Sequence, residues 1–244
     1  MTTYHLFNLE AADPSWQPCL EEGLRKIDPA YLDKLYRSVD WLPGHKKIFS
    51  AFSLPVNSVN YVLFGESPYP RAISANGYAF WDDSVKEIWS ETGFSKPVNR
   101  ATSLRNIIKM LLIAEGVLKP DKTTQPDIAS LEKHPFIETN TQLFNNLINH
   151  GFLLMNATPV LQPNNVRKDA IAWRPFIKYV LDYLLKAHPQ VELILLGNIA
   201  KAIDELIEEH DNQKFYAEHP YNVSFINNAK VIEFFKPFHL LLKS

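Results

Sequence analysis

Apolar and polar positions fall into blocks along this chain, and the blocks switch between the period of a strand and that of a helix. Short apolar runs bounded by turn residues predict strands at Tyr61 to Phe64, Phe152 to Asn156, Glu192 to Leu196 and Lys214 to Glu218. Between them the helical period takes over. Leu104, Ile107, Ile108, Leu111 and Leu112 share one face of a helix that Thr102 or Ser103 can cap. Leu143 to Ile148 predicts a helix that closes at Gly151. Beyond a polar loop, Gln162 to Asp169, Trp173, Phe176, Ile177, Val180, Leu181, Leu184 and Leu185 form a long apolar face, and a Gly197-Asn198 turn opens a helix over Ile199 to Ile207. Ahead of the first strand, Ser15 is placed to cap a stretch with Leu20, Leu24 and Ile27. Asp28-Pro29 opens a second stretch carrying Tyr31, Leu35 and Val39, and Ile48-Phe49-Phe52 makes a third amphipathic piece. Leu118 to Pro135, with its three prolines, reads as a long loop.

Strands alternating with helices predict an α/β fold of three α/β/α layers around a four-stranded, mostly parallel sheet with right-handed crossovers. The expectation is one domain over residues 1–244, with residues 1–40 as an N-terminal helical extension packed on it. At 46% hydrophobic content the chain can bury a large core. A net charge of -2 gives no global positive field, so any nucleic-acid contact must use a local patch, for which Lys46, Lys47, Arg71, Arg105, Arg167 and Lys168 are candidates. Glu205, Glu208, Glu209 and Asp211 read as a solvated helix face, and Asp82 and Asp83 as an exposed loop pair. No apolar run is long enough to span a membrane, so a soluble, cytoplasmic protein is expected, and it is expected to be a monomer. The lone Cys19 rules out an internal disulfide and reads as a core residue, and the histidines lack metal-ligand spacing, so neither a metal nor another cofactor is expected.

The chemistry gathers at the strand ends. Val62-Leu63-Phe64 stops at Gly65 and releases Glu66, Ser67 and Tyr69 into a turn stiffened by Pro68 and Pro70. Asn156 follows the second strand, Asn198 the third and His219 the fourth. Carboxyl ends of parallel strands open on one crevice, so these residues predict a single site.

In this order the motifs resemble the uracil-DNA glycosylase superfamily. Gly65-Glu66-Ser67-Pro68-Tyr69-Pro70 resembles its water-activating loop, typically Gly-Gln-Asp-Pro-Tyr. Gly77-Tyr78-Ala79-Phe80 resembles the segment whose phenylalanine stacks on the extruded base. Thr102-Ser103-Leu104-Arg105-Asn106-Ile107 is similar to a phosphate-contacting helix start. Phe152-Leu153-Leu154-Met155-Asn156 is similar to the strand that ends in the uracil-reading asparagine, and His219-Pro220-Tyr221-Asn222-Val223-Ser224 resembles the His-Pro-Ser-Pro-Leu-Ser intercalation loop.

The resemblance implies a DNA partner carrying a damaged base, single-stranded DNA included, and a role for each residue. Asn156 would pair with the N3-H and O4 edge of uracil, Phe80 would stack on the base, and Tyr69 would exclude the methyl group of thymine. His219 would stabilise the departing base, with Ser67 or Glu66 positioning water. Ser103, Asn198 and Ser224 would hold phosphates, and Val223 would fill the vacated stack. Two departures stand out. Ser67 replaces the aspartate that orients water in the family, and Tyr221-Asn222 replaces Ser-Pro in the intercalation loop. Two function classes therefore stay open: a glycosylase with altered catalysis, and an inactive homologue that binds DNA, a nucleobase or a protein through the retained pocket. A general α/β hydrolase is disfavoured, because no Gly-x-Ser-x-Gly elbow is present.

Overall fold

The computed structural model describes residues 7–243, so the outermost residues of the expected 1–244 domain lie outside the described ones. The chain runs α1 (Gln17–Leu24), α2 (Pro29–Arg37), β1 (Tyr61–Gly65), β2 (Trp89–Ser90), β3 (Gly93–Phe94), α3 (Lys96–Arg100), α4 (Thr102–Ala114) and α5 (Gln125–Ala129). It continues with α6 (Asn140–Asn149), β4 (Phe152–Asn156), α7 (Val166–Ala187), β5 (Glu192–Leu196), α8 (Ile199–Asp204), β6 (Lys214–Ala217) and α9 (Ala229–Phe235). None of these helices is long and apolar enough to cross a membrane. Contacts gather the described residues into two compact units. One takes the residues up to Ala79 together with Gly151–Phe215, and the other takes Phe80–His150 together with the residues from Tyr216 onward.

The first unit is built on the sheet, whose strand order is β4-β1-β5-β6. β1 pairs in parallel with β4 on one side and β5 on the other. Val62, Phe64, Leu153, Leu154, Leu193 and Ile194 are all buried. Consecutive residues of a strand point to opposite faces, so burial of both faces explains why these strands read as unbroken apolar runs. Helix α1 packs on α7, where Gly23 faces the Phe176 ring; a Cβ there would lie 3.0 Å from it.

A buried polar knot joins three segments of this unit. Asp169 is fully buried on α7 and accepts from the Tyr31 hydroxyl at 2.8 Å, the Gln162 amide N–H at 2.9 Å and Gln162 Nε2 at 2.7 Å. Trp173 Nε1 donates to the Tyr31 oxygen at 3.1 Å. Burial, reinforced by the Asp169 carboxylate, pushes the Tyr31 phenol well above its ordinary range. Burial likewise raises the Cys19 thiol to about 12, in keeping with an inert core residue.

Several boundaries differ from the sequence expectation for local reasons. Asp13, not Ser15, caps the first turn, accepting from the Ser15 N–H at 2.9 Å and its hydroxyl at 2.6 Å. Ile27 and Val39 fall beyond the ends of α1 and α2, and Val39 is 88% exposed. Neither Thr102 nor Ser103 caps α4; Ala101 takes that position without a side-chain bond. Helix α7 begins at Val166, inside the expected polar loop, because Asp169 satisfies its charge in the knot. Helix α8 stops at Asp204, so Glu208, Glu209 and Asp211 lie past it, and Glu205 pairs with Arg174 at 3.1 Å.

In the second unit the buried face of α4, with Leu104, Ile108, Leu111 and Leu112, packs on α9. The expected Leu118 to Pro135 loop contains α5, set by a capping box between Thr124 and Asp127. Asp82 is 3% exposed rather than on an open loop, and it accepts from the Ser84 N–H at 2.9 Å and hydroxyl at 2.6 Å.

Candidate functional site

The carboxyl ends of β1 and β4 are locked to one another. Gly65 and Asn156 stand opposite in the parallel register. The pairing runs on past the strands, with the Ala157 N–H donating to the Gly65 carbonyl at 2.9 Å and the Thr158 N–H to the Glu66 carbonyl at 3.0 Å. On the same side the Ala79 N–H donates to the Leu154 carbonyl at 3.0 Å. These bonds fix the loop that carries Ser67 and Tyr69 to the strand that ends in Asn156.

The space around Asn156 explains the glycine. A Cβ at position 65 would lie 2.5 Å from Asn156 Oδ1 and 2.9 Å from the Ala79 Cβ, so any larger residue would drive the amide out of place. Asn156 is only 4% exposed, yet its side-chain amide enters none of the hydrogen bonds among the described residues. Its polar atoms are therefore uncommitted to the protein and open to a partner. Such a group carries one donor face and one acceptor, the pattern needed to read a nucleobase edge.

Glu66 and Ser67 open onto a cleft of about 250 Å³ that they line with Thr158, Arg167, Ile203 and Leu206. The cleft lies past the carboxyl ends of β1 and β4, walled by α7 and α8, in keeping with ligand binding at the carboxyl ends of strands in open α/β sheets. Glu66 is exposed and Ser67 half-buried, and neither side chain bonds within the described residues. Tyr69 is half-buried between the buried Pro68 and the exposed Pro70. Asn198 is exposed at the start of α8 and makes no side-chain cap.

The second unit brings Phe80 and His219 together. Their ring centroids are 5.7 Å apart and tilted by 39°. Phe80 has φ of 61°, in the left-handed region that side-chain-bearing residues avoid, at a cost of roughly 1–3 kcal/mol. Strain of that kind persists only where the surroundings hold it, and it is frequent at functional sites. The Tyr221 N–H donates to His219 Nδ1 at 3.1 Å. With Nδ1 accepting, the neutral imidazole carries its proton on Nε2.

The loop after His219 is pinned from α4. Asn106 is 1% exposed, and its Nδ2 donates to the Pro220 carbonyl at 2.8 Å, with the Tyr221 and Asn222 carbonyls each at 3.5 Å. Asn106 lies within the quoted helix-start motif, and the signal it leaves in the sequence is a polar residue set between Leu104 and Ile108 on a helix with an apolar face. From the pinned loop Tyr221 projects 66% exposed and Val223 72% exposed, with Ser224 exposed beside them. Ser103 is half-buried in the first turn of α4.

Of the basic residues, Arg167 and Lys168 are exposed in the first turn of α7, and Lys46 and Arg71 are exposed elsewhere in the same unit. Arg105 is committed locally, donating to the Asn99 carbonyl at 2.8 Å. Among the described residues no group of three or more His, Cys, Asp or Glu side chains is placed to hold a metal ion.

No family model matches the chain, but individual proteins do. A uracil-DNA glycosylase of Coxiella burnetii is 30% identical over 185 residues, covering 75% of this chain and 68% of that protein. One from Fusobacterium nucleatum is 25% identical over 218 residues, covering 86% of this chain and 81% of the other. The crystal structure of UNG from Nitratifractor salsuginis superposes with a TM-score of 0.92 at 39% identity, over 97% of this chain and 95% of that one. The mimivirus uracil-DNA glycosylase shares the fold at 19% identity and a TM-score of 0.51. The parallel sheet and the near-complete superposition establish the three-layer α/β/α fold, and together with the similarity in sequence they place the chain in the uracil-DNA glycosylase family.

Proposed function

We propose that this protein is a DNA glycosylase that hydrolyses the N-glycosidic bond of uracil, using a water-positioning loop in which Ser67 stands in place of the usual aspartate. The observation that carries the reading is Asn156, buried to 4% exposure with an uncommitted amide at the end of β4. Its acceptor faces the N3-H of uracil and its donor the O4 oxygen, a pairing that cytosine reverses. Tyr69, stiffened by its flanking prolines, rejects the thymine methyl group, and Phe80 offers the extruded base a ring held in a strained backbone.

When the bond between the sugar C1′ and the base N1 breaks, its electron pair leaves with uracil and spreads onto O2. The Nε2 proton of neutral His219 stabilises that oxygen by hydrogen bonding, and water adds at C1′ to give free uracil and an abasic sugar. The Ser67 hydroxyl orients this water but offers neither a general base nor a negative charge to the cationic sugar. Ser103, Asn198 and Ser224 hold phosphates, with the exposed Val223 as the wedge. The protein acts as a monomer and as a single glycosylase domain.

Replacement of Ser67 by Asp tests this assignment. Restoring the carboxylate raises uracil excision by about 10²- to 10⁴-fold, the usual range of a general-base contribution. No increase in a folded variant would count against the role given to this loop. Wild-type protein that binds DNA and never cleaves it would favour the second reading, a binding module on a glycosylase scaffold, which the loss of the aspartate by itself supports.

A further inference from the structure

We propose that Tyr221 is a base-stacking residue that grips single-stranded DNA next to the target nucleotide. The inference rests on the glycosylase reading and goes beyond it, because the family loop that this segment resembles carries no aromatic residue at that place.

The argument begins with the backbone. Pro220 is buried and fixes its own φ, and its carbonyl accepts from Asn106 Nδ2 at 2.8 Å. Tyr221 is held on both sides, its N–H by His219 Nδ1 at 3.1 Å and its carbonyl by the same Asn106 amide at 3.5 Å. Asn106 is anchored in α4 at 1% exposure, so the loop is tied to a packed helix and not left to solvent. The Tyr221 ring nevertheless stands 66% exposed.

A large aromatic ring projecting from an immobilised backbone suits stacking, since only two side-chain torsions remain to be ordered on binding. Val223, 72% exposed two residues on, adds a second apolar contact on the same anchored loop. The ligand chemistry that fits is the flat face of a nucleobase, which every base presents regardless of sequence. Inside a duplex those faces are covered by neighbouring pairs, whereas in a single strand they are available. The ring therefore favours single-stranded DNA, and it compensates for a wedge that is shorter than leucine. The peptide N–H of Tyr221 also orients His219, so a base stacked on the ring steadies the group that stabilises the leaving uracil.

The test is the affinity of wild-type, Tyr221→Ala and Tyr221→Phe proteins for a labelled oligonucleotide carrying non-cleavable 2′-fluoro-2′-deoxyuridine, as a single strand and as a duplex, read by fluorescence anisotropy. Tyr221→Ala weakens single-strand binding by about tenfold, the scale of one base–aromatic stack, while Tyr221→Phe retains it and the duplex loses less. Single-strand binding by Tyr221→Ala equal to wild type overturns the stacking role, and equal losses on both substrates overturn the single-strand preference. A wild-type protein that binds neither oligonucleotide overturns the glycosylase reading and this inference together.

Discussion

The ends of β1 and β4 and the loop from His219 to Ser224 reach order in opposite ways. At the strand ends, position is set by the parallel ladder and its continuation through Ala157 and Thr158, and the important side chain, Asn156, is sealed at 4% exposure. The loop depends on a few bonds, chiefly from Asn106 and to His219 Nδ1, and turns Tyr221 and Val223 outward. A ladder tolerates no shift of register, so what it positions is specified tightly. A loop pinned at a few carbonyls can exchange its outward residues without disturbing the fold. On the proposed reading, the difference accounts for where this chain departs from the motifs it resembles: Asn156 matches the strand-end asparagine, while the loop after His219 reads Tyr221-Asn222-Val223 in place of Ser-Pro-Leu.

Four substitutions break or sharpen this contrast. The largest effect belongs to Asn156→Ala, which removes the amide proposed to read the base and lowers uracil excision by about 10⁴-fold, as expected for a site built around hydrogen bonds to its substrate. Thermal unfolding of the same variant should show little loss of stability, because the amide makes no hydrogen bond within the described residues that the change would break. Loss of His219 as alanine takes away the proposed donor to the leaving base, and single-turnover rates fall by about 10²- to 10³-fold. Gly65→Ala never touches substrate, yet it pushes a methyl group into the space of the Asn156 amide, and steady-state excision should drop by about 10²-fold through misplacement alone. Smallest is Tyr31→Phe, which loosens the Asp169 knot: denaturant unfolding should reveal a loss of about 1–3 kcal/mol while excision stays near wild type.

Much of the framework was legible in the sequence because it depends on short-range pattern. Strands β4 and β5 have the bounds predicted from their apolar runs, and β1 extends one residue further, to Gly65. The apolar faces of α4 and α7 follow their helical period. What escaped depends on partners far along the chain or on backbone conformation. Asp169 looks like a solvated loop residue until Tyr31, 138 positions away, donates to it. Asn106 meets carbonyls 114 to 116 residues distant. Helix α5 and the β2–β3 hairpin are too short to show a period, although the Thr124-x-x-Asp127 capping box was there to be read. The positive φ of Phe80 has no local signature at all.

At the candidate site, the residue types were visible and their geometry was not. Gly65 reads as a turn glycine, yet its missing side chain makes room for the Asn156 amide. His219 reads as a lone histidine before a proline, yet an N–H two residues on sets its tautomer.

The most direct measurement is uracil release from a single-stranded oligonucleotide by wild-type protein and by Asn156→Ala, each at high concentration and each shown to be folded. The account predicts free uracil and an abasic site from the wild type and none above background from the variant. Absence of cleavage by the wild type, or equal cleavage by both, would contradict it.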